Sequence, residues 1–155
     1  MTEFTSPRDL VRRGAERHGT RIAVTGAGAS LSYRELAGRT ARVAEILRRA
    51  GVGPGVQVAI SLPNSFEFPI WYFGVFEAGG IVIAITPTQT PTETAQLLET
   101  ARISFLVTSD SSPLATGLGV NLAASPGATP GTKLWRVDRD FAMLPTKPWS
   151  PDGLL

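Results

Sequence analysis

The chain has no cysteine, and this absence removes several classes of protein at once. Without cysteine there is no disulfide scaffold, no thiolate zinc site and no cysteine nucleophile. A cysteine-free chain is compatible with a reducing compartment. Disulfide-rich secreted domains are therefore excluded.

Long apolar runs are also missing. No run approaches the roughly 20 apolar residues that a membrane-spanning helix requires, and the start "MTEFTSPRDL" lacks the charged and apolar segments of a signal peptide. The chain is thus predicted to be cytoplasmic, with no membrane span. Lys and Arg outnumber Asp and Glu by only 15 to 13, for a net charge of +2, which is too weak to indicate a nucleic-acid partner.

Residues that carry chemistry are scarce. The single histidine, His18, falls at the end of a predicted surface helix, where a capping or solvated role is favoured over that of a base or ligand. The chain shows no metal-ligand spacing, no G-x-S-x-G elbow, no Walker loop and no G-x-G-x-x-G. "GAGAS" at 26–30 is interpreted as a hairpin turn. No catalytic, cofactor-binding or metal-ligating residue is predicted.

What is present points to a packed domain. With 155 residues, of which 43% are hydrophobic, the chain is long enough to bury a core. Three helix starts follow the capping-box pattern, in which a Ser or Thr and an acidic residue three positions later cap each other's amides. They begin at Ser6, Ser32 and Thr90. In the first and third, proline follows the cap, where its missing N–H costs nothing.

Helices and strands alternate along the chain. We expect helices at about Pro7 to His18, Tyr33 to Ala50, Phe66 to Ala78 and Pro91 to Ala101. "RIAVTGAGASLS" predicts a hairpin, and "VQVAISLP", "IVIAI" and "ISFLVT" predict strands that are apolar at nearly every position. This order predicts an α/β fold with a mostly parallel sheet, helices on both faces, right-handed crossovers and an N-terminal β-hairpin.

The third helix is unusually aromatic. Asn64 or Ser65 is predicted to cap it, and with Ser65 as the cap Pro69 would fall at the fourth helical position and remove the first intrahelical hydrogen bond. The aromatic residues could line an apolar ligand tunnel, although their spacing favours core packing. They are Phe66, Phe68, Trp71, Tyr72, Phe73 and Phe76.

The second helix carries five arginines at positions outside its apolar stripe. They could form a face for phosphate or an acidic partner, but a solvated surface is the favoured interpretation. The five are Arg34, Arg39, Arg42, Arg48 and Arg49.

The amino-acid composition changes after Asp110. Residues 1–110 are predicted to form the α/β subdomain, and residues 111–155 a loop-rich extension with one strand at "TKLWRVD". Because a compact domain normally ends on an element that closes its core, we expect the domain to be incomplete at this end.

The motif series between Leu10 and Asp110 resembles the N-terminal subdomain of the AMP-forming adenylating enzymes. These are acyl-CoA synthetases, fatty acyl-AMP ligases, luciferases and the adenylation domains of nonribosomal peptide synthetases. Their order and intervals of helix starts and strands agree with this chain, which departs by having Val56 for Asp, Glu77 for Lys and Ala84 for Pro. The matching segments are Leu31 to Leu36, Gly55 to Asn64, Phe76 to Gly79, Ile81 to Pro87 and Thr90 to Glu93.

The resemblance implies an acid–thiol ligase. In the family, a carboxylic acid attacks the α-phosphate of Mg-ATP to give an acyl-adenylate, and the thiol of CoA or of a carrier protein then takes the acyl group. The groups that handle charge in that reaction lie downstream of the motifs matched here. We therefore expect an N-terminal fragment that is inactive alone and has the remaining subdomains as its partners. The acid is left open.

One segment imitates the family's phosphate loop. Residues 125–133, "SPGATPGTK", match its Ser, Gly, Thr and Lys. Prolines stand where a phosphate cradle needs amide donors, so the segment is not expected to bind phosphate.

Two other interpretations stay open. One is a free-standing interaction or regulatory module with the same fold, which docks to a full ligase or a carrier protein. The other is an unrelated flavodoxin-like domain, which fits the element order but not the motifs. The aromatic helix and incomplete end also predict an exposed apolar patch and self-association.

Overall fold

A computed structural model describes residues 6–26, 28–109, Leu114 and the backbone of 133–136. Its elements alternate along the chain as the sequence predicts. In order they are α1 (Pro7–His18), β1 (Ile22–Gly26), β2 (Ala29–Ser32), α2 (Tyr33–Arg49), β3 (Gln57–Ser61), α3 (Glu67–Ala78), β4 (Ile81–Ala84), α4 (Pro91–Thr100), β5 (Phe105–Thr108) and β6 (Lys133–Arg136).

The N-terminal hairpin is confirmed. Strands β1 and β2 pair antiparallel, with Gly26 opposite Ala29 and Ile22 opposite Ser32. Gly28 in the turn has φ 77°, a left-handed conformation that favours glycine because it has no Cβ. The "GAGAS" segment therefore serves a turn.

The main sheet is four-stranded and parallel, in the order β4-β3-β5-β6. Strand β3 pairs with β4 on one side and with β5 on the other, and β6 pairs with β5. The predicted strand at "TKLWRVD" is thus β6, and it joins the same sheet. The mostly parallel α/β fold with a separate hairpin is confirmed.

Alternation along the central strands divides the core between two faces of the sheet. Val58 and Ile60 of β3 belong to a cluster built with α1, α2 and α3, which we call the three-helix side. Ala59, the residue between them, belongs to a second cluster with Leu98 of α4 and with Leu114, which we call the α4 side. Helices therefore cover both faces, as right-handed crossovers in opposite directions require.

The predicted capping residues begin three of the helices. Ser32 and Thr90 form complete capping boxes with Glu35 and Glu93. At α1, Ser6 instead accepts a bond from the Arg8 amide at N2, one residue before the predicted N3 amide. All three helices still begin where predicted.

Helix α3 begins later than predicted. Its N-cap is Phe66, with no side-chain cap bond, rather than Asn64 or Ser65. Pro69 consequently occupies the third helical position, where the amide has no intrahelical partner in any helix. The expected loss of a hydrogen bond at Pro69 is therefore wrong, because a shift of the start by one or two residues makes the proline harmless.

The abrupt passage from α3 to β4 depends on two glycines. Gly79 caps the helix with φ 92°, the left-handed conformation typical of helix ends. At Gly80, a Cβ would lie 2.8 Å from Val52 Cγ1 and 3.1 Å from the Val56 carbonyl oxygen. The first glycine turns the chain and the second lets it pass close to the segment before β3.

Strand β4 departs from the expectation of full burial. Strands β3 and β5 are buried almost throughout, but β4 lies at the edge of the described sheet, and Ile81 is 45% exposed. An apolar run thus predicted the strand but not its place, because an edge strand has a neighbour on one side only.

Candidate functional site

The carboxyl ends of β3 and β5 lie side by side at one edge of the parallel sheet. From β3 the chain passes through α3 to β4 on one side, whereas β6 lies on the other side of β5. Ligands of open α/β sheets bind where connections leave adjacent strands in opposite directions. This edge, which we call the switch-point edge, is the candidate site that the topology offers.

Hydroxyl groups line the switch-point edge. Thr108 Oγ1 donates a hydrogen bond to the Ser61 carbonyl oxygen at 3.0 Å, and both residues are buried. Ser61 Oγ is buried and has no hydrogen-bond partner within the described part of the chain. Pro63 and Asn64 follow β3 at the surface. These groups can orient a ligand, but they supply neither a general base nor an electrophile at neutral pH.

The aromatic residues of α3 divide into an inner and an outer set. Trp71 is fully buried among the apolar residues of the three-helix side. Tyr72 is half-buried, and its ring centroid lies 5.8 Å from Phe68, 5.4 Å from Phe73 and 5.1 Å from Phe76. Phe66 also packs against the core. The favoured core-packing interpretation holds for Trp71 and also for Phe68, Tyr72 and Phe73, which pack against the same core while remaining half-buried. Together with Phe76 they form a continuous aromatic surface.

The carboxyl end of α3 is held by arginines from two other helices. Arg8 of α1 and Arg48 of α2 donate to the Glu77 carbonyl oxygen at 3.3 and 2.5 Å. Cations stabilise a helix carboxyl end, and α3 has no basic residue in its own last turn. Burial raises the pKa of the Glu77 carboxyl, although Arg48, Arg8 and Arg12 oppose the shift.

The two capping carboxylates experience the opposite effect. Hydrogen bonds from the Ser32 amide and hydroxyl lower the pKa of Glu35, and the same bonds from Thr90 lower that of Glu93. Hydrogen bonds to an ionised carboxylate favour the charged form. Both shifts are explained by helix capping, so they do not mark a site of catalysis.

The other basic residues singled out in the sequence lie on the surface of the helical layer. Arg42 and Arg49 pair with Glu45 at 3.0 and 2.5 Å; Arg49 is exposed, which agrees with a solvated face, whereas Arg42 is half-buried. His18 is exposed at the end of α1, with its ring centroid 6.3 Å from that of Tyr33. Its place agrees with the predicted capping or solvated role.

Within 6–26, 28–109 and 133–136, no group of three or more His, Asp or Glu residues is placed to hold a metal ion. Residues 125–132 of the phosphate-loop imitation lie outside the described residues, and Lys133 begins β6. Over the same described ranges, no helix has the length and apolar character needed to cross a bilayer.

Comparison with known proteins decides the family. A family model described as AMP-binding enzyme matches residues 11–145. The chain belongs to the AMP-binding enzyme family. This match agrees with the motif series that runs through the capped helices and the parallel strands.

Curated members of the AMP-binding family resemble the chain over about two thirds of its length. Tyrocidine synthase 2 of Brevibacillus parabrevis is 33% identical over 100 residues, covering 64% of this chain and 3% of that protein. A long-chain-fatty-acid–CoA ligase of Yersinia pestis is 29% identical over 109 residues, covering 69% of this chain and 19% of that protein. The chain thus spans less than a fifth of these relatives.

Solved structures of the family show the same fold. A nonribosomal peptide synthetase, FmoA3, bound to alpha-methyl-L-serine-AMP, superposes with a TM-score of 0.75 at 28% identity, covering 95% of this chain and 16% of that one. A fatty acyl CoA synthetase of Mycobacterium tuberculosis gives 0.75 at 19% identity, covering 84% and 26%. The chain is therefore a partial N-terminal domain of an adenylating fold.

Sequence reasoning missed the switch-point hydroxyls and the arginine contacts to α3. Ser61 and Thr108 end apolar strands, and this position was the available signal for a carboxyl-edge role. The sequence of neither strand shows that β3 and β5 are neighbours in the sheet. No local pattern connects Arg8 to Glu77, since they lie 69 residues apart.

Proposed function

We propose that this chain is the N-terminal scaffold of an AMP-forming acid–thiol ligase. Membership of the AMP-binding enzyme family, together with a span of less than a fifth of the relatives above, supports this proposal. In the parent, ATP and Mg would activate a carboxylic acid as its acyl-adenylate, and CoA or a carrier-protein thiol would accept the acyl group. The remaining subdomains would supply the groups that bind phosphate and metal.

The observation that carries this proposal is the aromatic surface of α3. Phe68, Tyr72, Phe73 and Phe76 are half-buried and contact one another through Tyr72. Apolar and aromatic side chains line most pockets for organic ligands. We assign this surface to one wall of the acyl pocket and to packing against the rest of the parent.

The first test measures activity directly. The purified 155-residue chain, given Mg-ATP and a panel of fatty, aromatic and amino acids, should show no pyrophosphate release above background. A full-length ligase of the family serves as the positive control. Acid-dependent turnover by the chain alone would contradict the scaffold role.

A chimera tests the scaffold role in a working enzyme. Residues 11–110 of this chain would replace the matching segment of a long-chain acid–CoA ligase, and the chimera should retain ATP–pyrophosphate exchange. A control chimera carrying Gly80→Val should lose it, because a side chain there collides with Val52. A folded but inactive first chimera would favour the alternative of a free-standing module that docks to a ligase or carrier protein.

The proposed location is the cytoplasm. ATP and CoA, which the proposed reaction of the parent uses, are available there. Fractionation of cells that make the tagged chain checks the proposal, and recovery in a secreted fraction would refute it.

Self-association is proposed through the β4 edge rather than through α3. The exposed large apolar residues of the described chain are Leu10, Ile22 and Ile81, and Ile81 begins this edge strand. Exposed apolar edges favour pairing with another strand. In sedimentation, Ile81→Lys should reduce association and the matched Leu10→Lys should not; monomeric behaviour of the parent at high concentration would contradict the proposal.

A further inference from the structure

Charge is distributed unevenly along the molecule. Residues 6–49 hold ten arginines and four acidic residues, a net charge of +6, whereas the whole chain carries +2. This segment supplies α1, the hairpin and α2, so the positive charge concentrates on the outer layer of the three-helix side. Separation of this kind creates a field that favours negatively charged partners.

Three of these arginines stand on neighbouring backbone segments, where α1 passes into the hairpin and α2 begins. Arg17, Arg21 and Arg34 are all exposed, and we call them the basic corner. No ion pair found among the described residues engages any of the three, in contrast to Arg12, Arg42 and Arg49. Their charges are therefore not neutralised by the carboxylates of the helical layer.

Backbone hydrogen bonds fix the geometry of the basic corner. The Tyr33 amide donates to the Arg21 carbonyl oxygen at 3.0 Å, and the Arg34 amide donates to that of Gly19 at 3.1 Å. The Arg21 amide donates to the His18 carbonyl oxygen at 2.8 Å. The chain segments that carry the three guanidinium groups are thus held together before any partner arrives.

Arg34 also lies across Gly19. A Cβ built at Gly19 would meet Arg34 Nη2 at 3.1 Å and Nε at 3.3 Å, so the guanidinium packs close to the glycine backbone. This contact directs the Arg34 side chain toward the end of α1, where Arg17 lies.

An exposed apolar residue adjoins the basic corner. Ile22 follows Arg21 directly and is 59% exposed, the largest exposure among the large apolar residues of the described chain. An exposed isoleucine does not help water to solvate the neighbouring arginines. Protein interfaces, in contrast, combine apolar contacts with arginine. The pairing of Ile22 with these arginines favours an interface over plain solvation.

We propose that the basic corner is a docking surface for a protein partner whose own surface is rich in carboxylates and offers an apolar contact to Ile22. This inference goes beyond the scaffold role and does not depend on it. The corner is open to solvent, where single ion pairs add little affinity and several charges acting together mainly steer and orient a large partner. A small anion would gain little there.

A membrane surface fits less well. Each basic side chain near an anionic surface contributes about 1 kcal/mol, and stable anchoring requires a second, larger apolar element. Near the corner, the described residues offer one isoleucine. An acidic protein is therefore the occupant that the observations favour.

Fluorescence anisotropy with labelled peptides tests the proposal. An oligoglutamate peptide should bind the parent chain at low salt and more weakly at about 0.15 M salt, where charges are screened beyond about 8 Å. The triple variant Arg17→Gln, Arg21→Gln and Arg34→Gln should lose about tenfold or more in affinity. A glutamate peptide with interspersed leucines should bind more tightly than oligoglutamate, and Ile22→Ser should remove that gain.

The matched control removes three exposed arginines elsewhere. The variant Arg12→Gln, Arg49→Gln and Arg102→Gln has the same change in net charge and should lose less than about twofold. Equal losses in the two triple variants would overturn the proposal, because binding would then follow net charge alone. Tighter binding to phosphatidylglycerol vesicles or duplex DNA than to the peptide would also overturn it.

A single charge reversal guards against misfolding. Arg17→Glu changes one exposed side chain and should weaken peptide binding more than Arg102→Glu, which reverses an exposed arginine away from the corner; thermal unfolding of both variants is measured alongside. If the two variants bind the peptide equally, the basic corner is not the docking surface.

Discussion

The two sides of the parallel sheet are built differently. On the three-helix side, α1, α2 and α3 enclose a large cluster that includes Trp71, whereas on the α4 side one described helix and Leu114 cover a smaller cluster. The first side completes its packing mainly with helices close in sequence. The second is covered, among the described residues, by α4 and by Leu114, which follows β5 in the chain.

The largest expected effect comes from emptying the core of the three-helix side. Trp71→Ala should destabilise the chain by about 3–5 kcal/mol, because the residue is fully buried among rigid helices. Leu98→Ala on the α4 side should cost about 2 kcal/mol, since a thinner layer can collapse into the space. Denaturant unfolding measures both. A larger cost for Leu98→Ala would reverse the comparison.

The second effect tests how closely α2 and α3 approach each other on the three-helix side. A Cβ at Gly74 of α3 would lie 2.6 Å from Val43 Cγ1 of α2, so Gly74→Ala should destabilise the chain by about 1–3 kcal/mol. The matched control is Gly53→Ala, because no atom lies within 4 Å of its Cβ position. Equal stabilities of the two variants would show that α2 and α3 separate easily.

The third effect compares one cap from each side. Ser32→Ala removes a capping box from α2 and should cost about 1 kcal/mol. Thr90→Ala does the same to α4. Thermal unfolding should show similar shifts, because capping is local and does not depend on the depth of the core. A negligible effect at α4 alone would mean that this helix is held by other contacts.

The smallest effect concerns Glu77, where the three helices meet. Its raised pKa means that the folded state binds the proton more tightly than the unfolded state, so its contribution favours stability at acid pH and is lost as pH rises through the folded pKa. Glu77→Gln should therefore stabilise the chain above that pKa and have no effect well below it. Unfolding followed across pH measures the difference, and a gain confined to acid pH would contradict it.

Glu77→Lys provides a second measurement at this position. Lysine is the residue of the family pattern, yet here it would face Arg8, Arg12 and Arg48. We expect it to lower stability at neutral pH and the loss to shrink as salt screens the repulsion. A stabilising lysine would show that the arginines do not act on this position.

Much of the fold followed from local patterns. The capping boxes at Ser32 and Thr90 and the glycines after α3 predicted helix boundaries to within a residue or two, because those groups satisfy backbone bonds within a few positions. The start of α3 was predicted too early, since neither Asn64 nor Ser65 caps it. The motif series also identified the family, which the comparison confirmed.

The burial of β4 could not be predicted in the same way. "IVIAI" is as apolar as the central strands, yet β4 lies at the edge of the described sheet. An apolar composition indicates that part of a strand is buried. Only the strand order in the sheet shows whether the strand has a neighbouring strand on one side or on both. The sequence predicts self-association through the aromatic helix, whereas in the structure an exposed apolar residue, Ile81, lies at the β4 edge.

The sequence by itself determined the order of the helices and strands and most of their boundaries, because capping, periodicity and glycine conformation act over a few residues. The tertiary structure alone decided which strands are neighbours, that Arg8 and Arg48 meet the end of α3, and that the backbone segments of the basic corner adjoin. Those relations join positions far apart in the chain. These relations form only when the chain folds, so no local sequence pattern predicts them.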